Sequence, residues 1–251
     1  MTGNKITDRD TIGSWITIGH PVIAEIMADA GFDWLAVDLE HSAITEREAE
    51  DLIRVIDLKG VSPIVRLTTN SSAQIKRILD MGAHGIIVPM VNSREDAIRA
   101  VEAAKYPPYG NRSFGLSRAQ RFGDSFDKYL EWEKENVTVI VQIEHKDSVQ
   151  NIDEILSVAG VDAYFVGPYD LSGSLGIPGQ FSDPVFIEKI KEISEAAERQ
   201  GLPGGVHIIK PDIENLIECK RQGQKFVAFS IDTQIIKEGC AQIGRIKERI
   251  L

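Results

Sequence analysis

Apolar positions along this chain gather into short runs, separated by longer stretches in which they recur every three to four residues. These are the periods of buried strands and of helices packed against them. Eight runs read as strands: Thr11–Ile18, Trp34–Leu39, Pro63–Leu67, Gly85–Pro89, Thr138–Glu144, Ala163–Gly167, Gly204–Ile209 and Lys225–Ile231. The helical period covers Val22–Ala30, Glu46–Leu58, Ala73–Met81, Arg94–Ala104, Asp147–Val158, Pro184–Arg199, Asp212–Gln222 and Gln234–Leu251. Runs such as IIVPM and AYFVG are apolar on both faces, as parallel strands wrapped by helices should be. The punctuation agrees. Gly31 and Gly82 follow the first and third helices, Ser93 precedes the fourth as a cap, and Gly201 with Pro203 closes the sixth. Eight strand–helix repeats predict a (β/α)₈ TIM barrel, with a doubly wound open sheet as its rival.

No linker, repeat or low-complexity segment divides the 251 residues, so 1–251 is read as one barrel domain. Tyr106–Asn136 is the one long connection and is read as a functional loop or an interface element. The amphipathic last helix either closes its own barrel or packs on a neighbour.

Composition narrows the partners. A net charge of −10, with no run of Lys or Arg, argues against nucleic acid and anionic membranes while leaving room for a small anion on a local arginine. The two cysteines, Cys219 and Cys240, belong to no CxxC or CxxH pattern and are read as reduced, packed thiols. The polar start of the chain and the lack of any long apolar span give a cytoplasmic protein as the expectation.

In a barrel the loops at the carboxyl ends of the strands build the active site. Glu144 ends the fifth run and Asp170 follows the sixth, and neighbouring strands lie about 4.8 Å apart. Two such acids can converge on one divalent cation, Mg²⁺ or Mn²⁺, with substrate and water completing its shell; Co²⁺ and Zn²⁺ are further candidates. The bland alternative is that each acid caps a helix or pairs with a surface lysine. In DLEH, His41 sits at a strand end beside carboxylates and reads as a base. The HxE and HExxH spacings of zinc enzymes are missing around it. Arg66 closes the apolar run PIVR, where its fork of donors suits a carboxylate or an enolate oxygen. The alternative is an ion pair with Asp38 or Glu40.

Gly167-Pro168 forms a tight turn whose amides can face a bound carboxylate. Asp80 ends a helix and by itself reads as an ordinary helix-end acid. Lys210 raises a Schiff-base alternative, against its simpler reading as a surface residue at a helix entry. No Walker loop, GxGxxG after a strand or GxSxG elbow is present, so nucleotide hydrolysis, hydride transfer and serine hydrolysis lose support.

The segments GFDWLAVDLEHS, PIVRL, QIKRILDMGAHGIIVPMV, YPPYGNRSFG, VQIE and VGPYDLSGSLG, in this order and spacing, resemble the HpcH/HpaI aldolase family over nearly the whole chain. The resemblance implies metal-dependent cleavage of 4-hydroxy-2-oxo acids to pyruvate and an aldehyde. It also implies a barrel whose last helix exchanges between partners in a homohexamer built from dimers. It assigns Glu144 and Asp170 to the metal, His41 to acid/base work, Arg66 to the pyruvate enolate and Gln142 to bound pyruvate. Asp80 would serve a neighbouring subunit's site, and Trp15 would stand at the pocket mouth. Leu39, Ser42, Ser113, Tyr169 and His207 depart from the commoner pattern. Tyr169, His207 and Leu39 are read as facing the substrate, with Gly167 and Pro168 beside it. The remaining alternatives are a citrate-lyase-like cleavage of an acyl-CoA, with Arg112, Arg118 and Arg121 as its basic landing surface, and a pyruvate-binding barrel without turnover.

Overall fold

The computed structural model describes residues 5–221 and 224–250. Eight parallel strands close into a barrel in sequence order: β1 (Thr11–Ile16), β2 (Trp34–Asp38), β3 (Ser62–Arg66), β4 (Gly85–Val88), β5 (Thr138–Ile143), β6 (Ala163–Val166), β7 (Gly204–Ile208) and β8 (Phe226–Ile231). The open-sheet alternative is thereby excluded. Around the barrel lie α1 (Pro21–Asp29), α2 (Glu46–Leu58), α3 (Ser72–Asp80), α4 (Arg94–Ala104), α5 (Phe126–Asn136), α6 (Lys146–Gln150), α7 (Ile152–Leu156), α8 (Pro168–Ser174), α9 (Pro184–Gln200), α10 (Ile213–Arg221) and α11 (Asp232–Ile250). Gln222 and Leu251, which end two expected helices, lie outside the described residues, as do Met1–Asn4.

Strand alternation sorts the core into two layers. Leu35, Val37, Val65, Ile86, Val139 and Val141 point outward into a large cluster shared with the helices. Trp34, Ala36, Ile64, Ile140, Phe165 and Phe226 fill the barrel interior. Gly13 and Gly205 leave interior space for Trp34 and for Phe165 with Phe226.

Several boundaries differ from the sequence reading for physical reasons. β1 stops at Ile16 because the amides of Thr17 and Ile18 donate to the buried Asp232 carboxylate, at 2.7 and 2.8 Å, instead of to a neighbouring strand. The helix expected over Asp147–Val158 is broken at Asn151 (φ −102°, ψ 16°) into α6 and α7. The long connection contains a 3₁₀ segment, Arg118–Gly123, and the whole of α5. The inward face of α5 is largely polar: Tyr129, Glu133 and Asn136 are buried, with Glu133 3.2 Å from the buried Lys105 ammonium. A hydrophobic period therefore could not reveal it. Expected caps are present at Ser93, with a full capping box, and at Gly201, in the left-handed region at φ 67°. Gly31 and Gly82 likewise have positive φ.

Candidate active site

The inward positions nearest the carboxyl ends of the strands carry polar groups where the layers beneath carry apolar ones. Asp38 follows Trp34 and Ala36 on the same face of β2, and it stands in register with Arg66 on β3. Alternation on β5 likewise takes Ile140 to Gln142 and then to Glu144 just past the strand, while β7 contributes His207. Trp15, Asp38, His41, Arg66, Gln142, Gly167, Tyr169, Asp170 and His207 line one cavity of about 650 Å³ at this end.

Arg66 is held from two sides. Its Nε and Nη2 donate to the two oxygens of Asp38 at 2.9 and 2.7 Å, its Nη1 lies 3.4 Å from Glu40, and its guanidinium stacks 4.7 Å from the Trp15 ring centroid. Both ion pairs anticipated as alternatives for Arg66 are thus present, and they aim the cation into the cavity. The Asp38 carboxylate also accepts the backbone amides of Glu40 and His41, fixing the turn after β2. His41 stands at the rim with its imidazole mostly exposed and Nε2 3.9 Å from Glu40.

Glu144 is 2 % exposed. One oxygen accepts the Met90 amide at 2.7 Å, and the other accepts the side-chain amide of Gln142. Burial raises this carboxyl above its ordinary range against the pull of those two hydrogen bonds, and the charge of Asp170 raises it further. Asp170 lies in the first turn of α8, on the exposed side of the cavity. The turn amides contribute less than expected: Gly167 N–H is committed to Ile143 O, and Pro168 has none. Gly167 matters instead for what it lacks, since a Cβ there would lie 2.8 Å from both Cβ and Oε2 of Glu144.

Two residues of the site escaped the sequence reading. Glu40 had been considered only as a neighbour of His41 and Arg66. Burial, followed by the charge of Glu144, pushes its carboxyl up to about 7 against the opposing Arg66, and its Oε2 is buried without a hydrogen-bond donor. A second acid two residues after Asp38 was the available signal. Met90 is held at φ 52°, a costly conformation for a side-chain-bearing residue, and this aims its amide at Glu144. Nothing in the sequence marks it.

His207 is shielded against Trp15, with ring centroids 5.7 Å apart, and its Nε2 lies 3.1 Å from the Ser230 carbonyl. A carbonyl only accepts, so Nε2 carries the proton and Nδ1 is left as an acceptor. Burial lowers the His207 pKa to about 4 in spite of the Ser230 bond. Trp15, expected at the mouth, lines the cavity and is 3 % exposed. Tyr169 is exposed at the outer wall, edge-on to Phe181 at 5.0 Å. Leu39 is buried in the sheet–helix core rather than facing the cavity.

Asp80 is not brought here. Helices run antiparallel to the strands, so the end of α3 lies at the opposite face of the barrel, where Asp80 pairs with the buried Arg112 at 2.6 Å. Lys210 is exposed and does not line the cavity.

The donor set fits a divalent cation. The charge of Asp170 raises the proton affinity of the buried Glu144, and a buried Glu40 oxygen that accepts no hydrogen bond, though it lies 3.4 Å from Arg66 Nη1, belongs to the same electrostatic cluster. Among the described residues no group of three or more His, Cys, Asp or Glu side chains is placed to hold a metal ion, so a cation here would take most of its ligands from substrate and water.

The sequence matches the family described as HpcH/HpaI aldolase/citrate lyase over residues 11–238. It is 37 % identical over 227 residues to a hydroxypyruvate/pyruvate aldolase of Sagittula stellata, covering 90 % of this chain and 88 % of that one. Identity to the 2-keto-3-deoxy-L-rhamnonate aldolase of Escherichia coli K12 is 34 % over 233 residues, 92 % of this chain and 86 % of that one. The crystal structure of an HpcH/HpaI aldolase from Desulfitobacterium hafniense superposes with a TM-score of 0.87 at 33 % identity, covering 97 % and 94 % of the two chains.

Proposed function

The chain belongs to the HpcH/HpaI aldolase/citrate lyase family and is a carbon–carbon lyase, and on that premise we propose that its barrel mouth catalyses reversible aldol cleavage of a 4-hydroxy-2-oxo carboxylate to pyruvate and an aldehyde. The observation that carries this reading is a rigidly held guanidinium, Arg66, facing Asp170 across one cavity, with the buried Glu144 close enough behind its wall to feel both charges. Glu144 and Asp170 would hold Mg²⁺ or Mn²⁺, which when bound supplies Lewis-acid polarisation of the 2-oxo group.

The remaining work falls to the chain's own side chains. Arg66 keeps Nη1 hydrogens free of Asp38 and receives the carboxylate or the developing enolate oxygen. Gln142, with its Oε1 unpartnered, borders the same position. His41 takes the C4 hydroxyl proton. The C4–O bond becomes the aldehyde carbonyl, the C3–C4 bond breaks, and its electron pair becomes the pyruvate enolate. A proton delivered to C3 completes pyruvate.

Acyl-CoA cleavage is less well supported. Arg112 is buried on Asp80, Arg118 pairs with Asp57 at 2.6 Å, and Arg121 lines a separate cavity with Asp57 and Gly82. These three arginines therefore offer no landing surface beside Glu144. Assembly by exchange of the last helix is favoured by the exposure of Ile236, Ile243, Ile246 and Ile250 along α11, and by α10, which buries none of its residues. A homohexamer in which Asp80 reaches a neighbour's site is the corresponding reading; sedimentation velocity tests the size.

Exchange of pyruvate methyl protons with D₂O, followed by NMR with Mn²⁺ and then with EDTA, tests the enolate step without knowledge of the aldehyde. Exchange that needs metal is the expected result. Exchange surviving EDTA would favour Lys210 and a Schiff base, and none under either condition would favour the binding-protein reading.

A further inference from the structure

The cavity is larger than the proposed cleavage needs. It holds about 650 Å³. A six-carbon hydroxy-oxo acid has about ten heavy atoms, which at the roughly 30 Å³ that a water occupies fill on the order of 300 Å³. The surplus passes the ends of β6 and β7 at Val166 and Ile209 and enters the layer between the sheet and α9, reaching Tyr164, Phe186, Ile190 and Ser194. Gly204 puts no side chain on the outer face of β7, and the Tyr164 ring packs into that place; α10 buries no residue against the strand, which leaves the layer beyond Tyr164 thinly covered.

Charge along the walls restricts what can enter. Among the described lining residues Arg66 is the one permanent cation, and it already faces Asp38 and Glu40. His207 stays neutral at working pH, and Asp170 and Tyr169 line the same cavity. Within the arm a second carboxylate on the substrate would find no counter-ion, whereas a hydrocarbon tail would meet Phe186, Ile190 and Val206.

We propose that the aldehyde partner is uncharged and carries an apolar tail, which occupies the arm between β6, β7 and α9. This rests on the aldol reading above. The test measures kcat/KM for pyruvate addition to straight-chain aldehydes from acetaldehyde to octanal, with succinic semialdehyde as the charged counterpart of butanal, using the full chain with Mn²⁺. Each methylene that enters the arm should raise kcat/KM roughly three- to fourfold. Succinic semialdehyde should fall about tenfold or more below butanal. Ile190→Trp, which fills the arm from α9, should flatten the dependence on chain length while leaving pyruvate methyl exchange intact; the series on the unaltered protein decides the matter if that variant does not fold. Succinic semialdehyde matching or exceeding butanal, or a flat series, overturns the proposal while metal-dependent exchange leaves the aldol reading standing. Absence of exchange in the unaltered protein sinks the aldol reading and takes this inference with it.

Discussion

Replacing Gly167 with alanine isolates what the buried acid Glu144, the proposed metal ligand, requires of its neighbour. Gly167 has φ −93°, which any residue adopts, so the substitution meets no backbone penalty. Its methyl would stand 2.8 Å from Cβ and Oε2 of Glu144 and 3.3 Å from Nε2 of Gln142. Carbon atoms settle at about 3.5–4.0 Å from one another, so Glu144 must retreat by roughly 1 Å. It is tied on the other side by the Met90 amide, 2.7 Å from Oε1. Overpacking of this kind costs about 1–3 kcal/mol, and a displaced ligand should lose about 10–100-fold in metal affinity. Gly173, in the same short helix, is the control, because a Cβ there meets nothing within 4 Å. Gly173→Ala should stabilise by up to about 1 kcal/mol through helix propensity. Urea unfolding in EDTA reads the stability, and Mn²⁺ titration by EPR reads the affinity. A Gly167→Ala protein with unchanged Mn²⁺ affinity would refute the steric coupling, and equal losses in both variants would place the effect in α8 as a whole.

Arg66→Lys gives up the two-pronged pair with Asp38, so methyl exchange should fall about 10²–10³-fold while Mn²⁺ affinity holds; parallel loss of both would contradict the assigned role. His207 has its folded pKa depressed to about 4, so the unfolded chain takes up the proton first as pH falls below about 6.5. Stability should therefore decline between about pH 6.5 and 4, by at most about 3 kcal/mol, and then level off, and urea midpoints for His207→Gln should lose that slope. Met90→Gly should hold or gain up to about 1 kcal/mol and keep its Mn²⁺ affinity, since the amide and not the side chain serves Glu144; loss of binding by isothermal titration would show otherwise. Asp170→Asn should abolish the rise in unfolding midpoint that Mn²⁺ brings, yet leave the EDTA-treated protein as stable as before or slightly more so, because Glu144 loses a like charge.

The barrel was legible because its signal is repeated. A misplaced end at Ile18 or Pro89 did not alter the count of eight, and the closing β8–β1 pairing needs no local signature. Asp38, Arg66, Gln142 and His207 were reachable by the same alternation that places Ala36 and Ile140 inside. What stayed hidden depends on backbone torsion or on partners distant in sequence. Met90 acquires its role from a positive φ, and α5 hides its inward face behind Glu133 and Lys105, which are apolar neither by type nor by period. Asp80 pairs with the buried Arg112 at the far face of the barrel, so within this chain it serves packing and not the cavity.

Charge balance ties these observations together. Asp38, Glu144 and Asp170 all act on Glu40, and Arg66 is the one cation opposing them. The two-pronged pair commits most of that cation to Asp38, leaving Glu40, Glu144 and Asp170 to repel one another. Burial of Glu144 deepens the cost, because a low-dielectric wall strengthens repulsion as readily as attraction. A fold that keeps such a cluster pays in stability unless a cation joins it, and a divalent ion between Glu144 and Asp170 offsets two of the three charges at once. Bound at a hundred times its Kd, such an ion would add about 2.7 kcal/mol to the folded state. On the proposed reading, the acids that make the metal-free barrel less stable are the ones that would draw a cation and a chelating oxo acid to its mouth. This is why Asp170→Asn and Gly167→Ala, both aimed at the metal, should move metal-free stability in opposite directions.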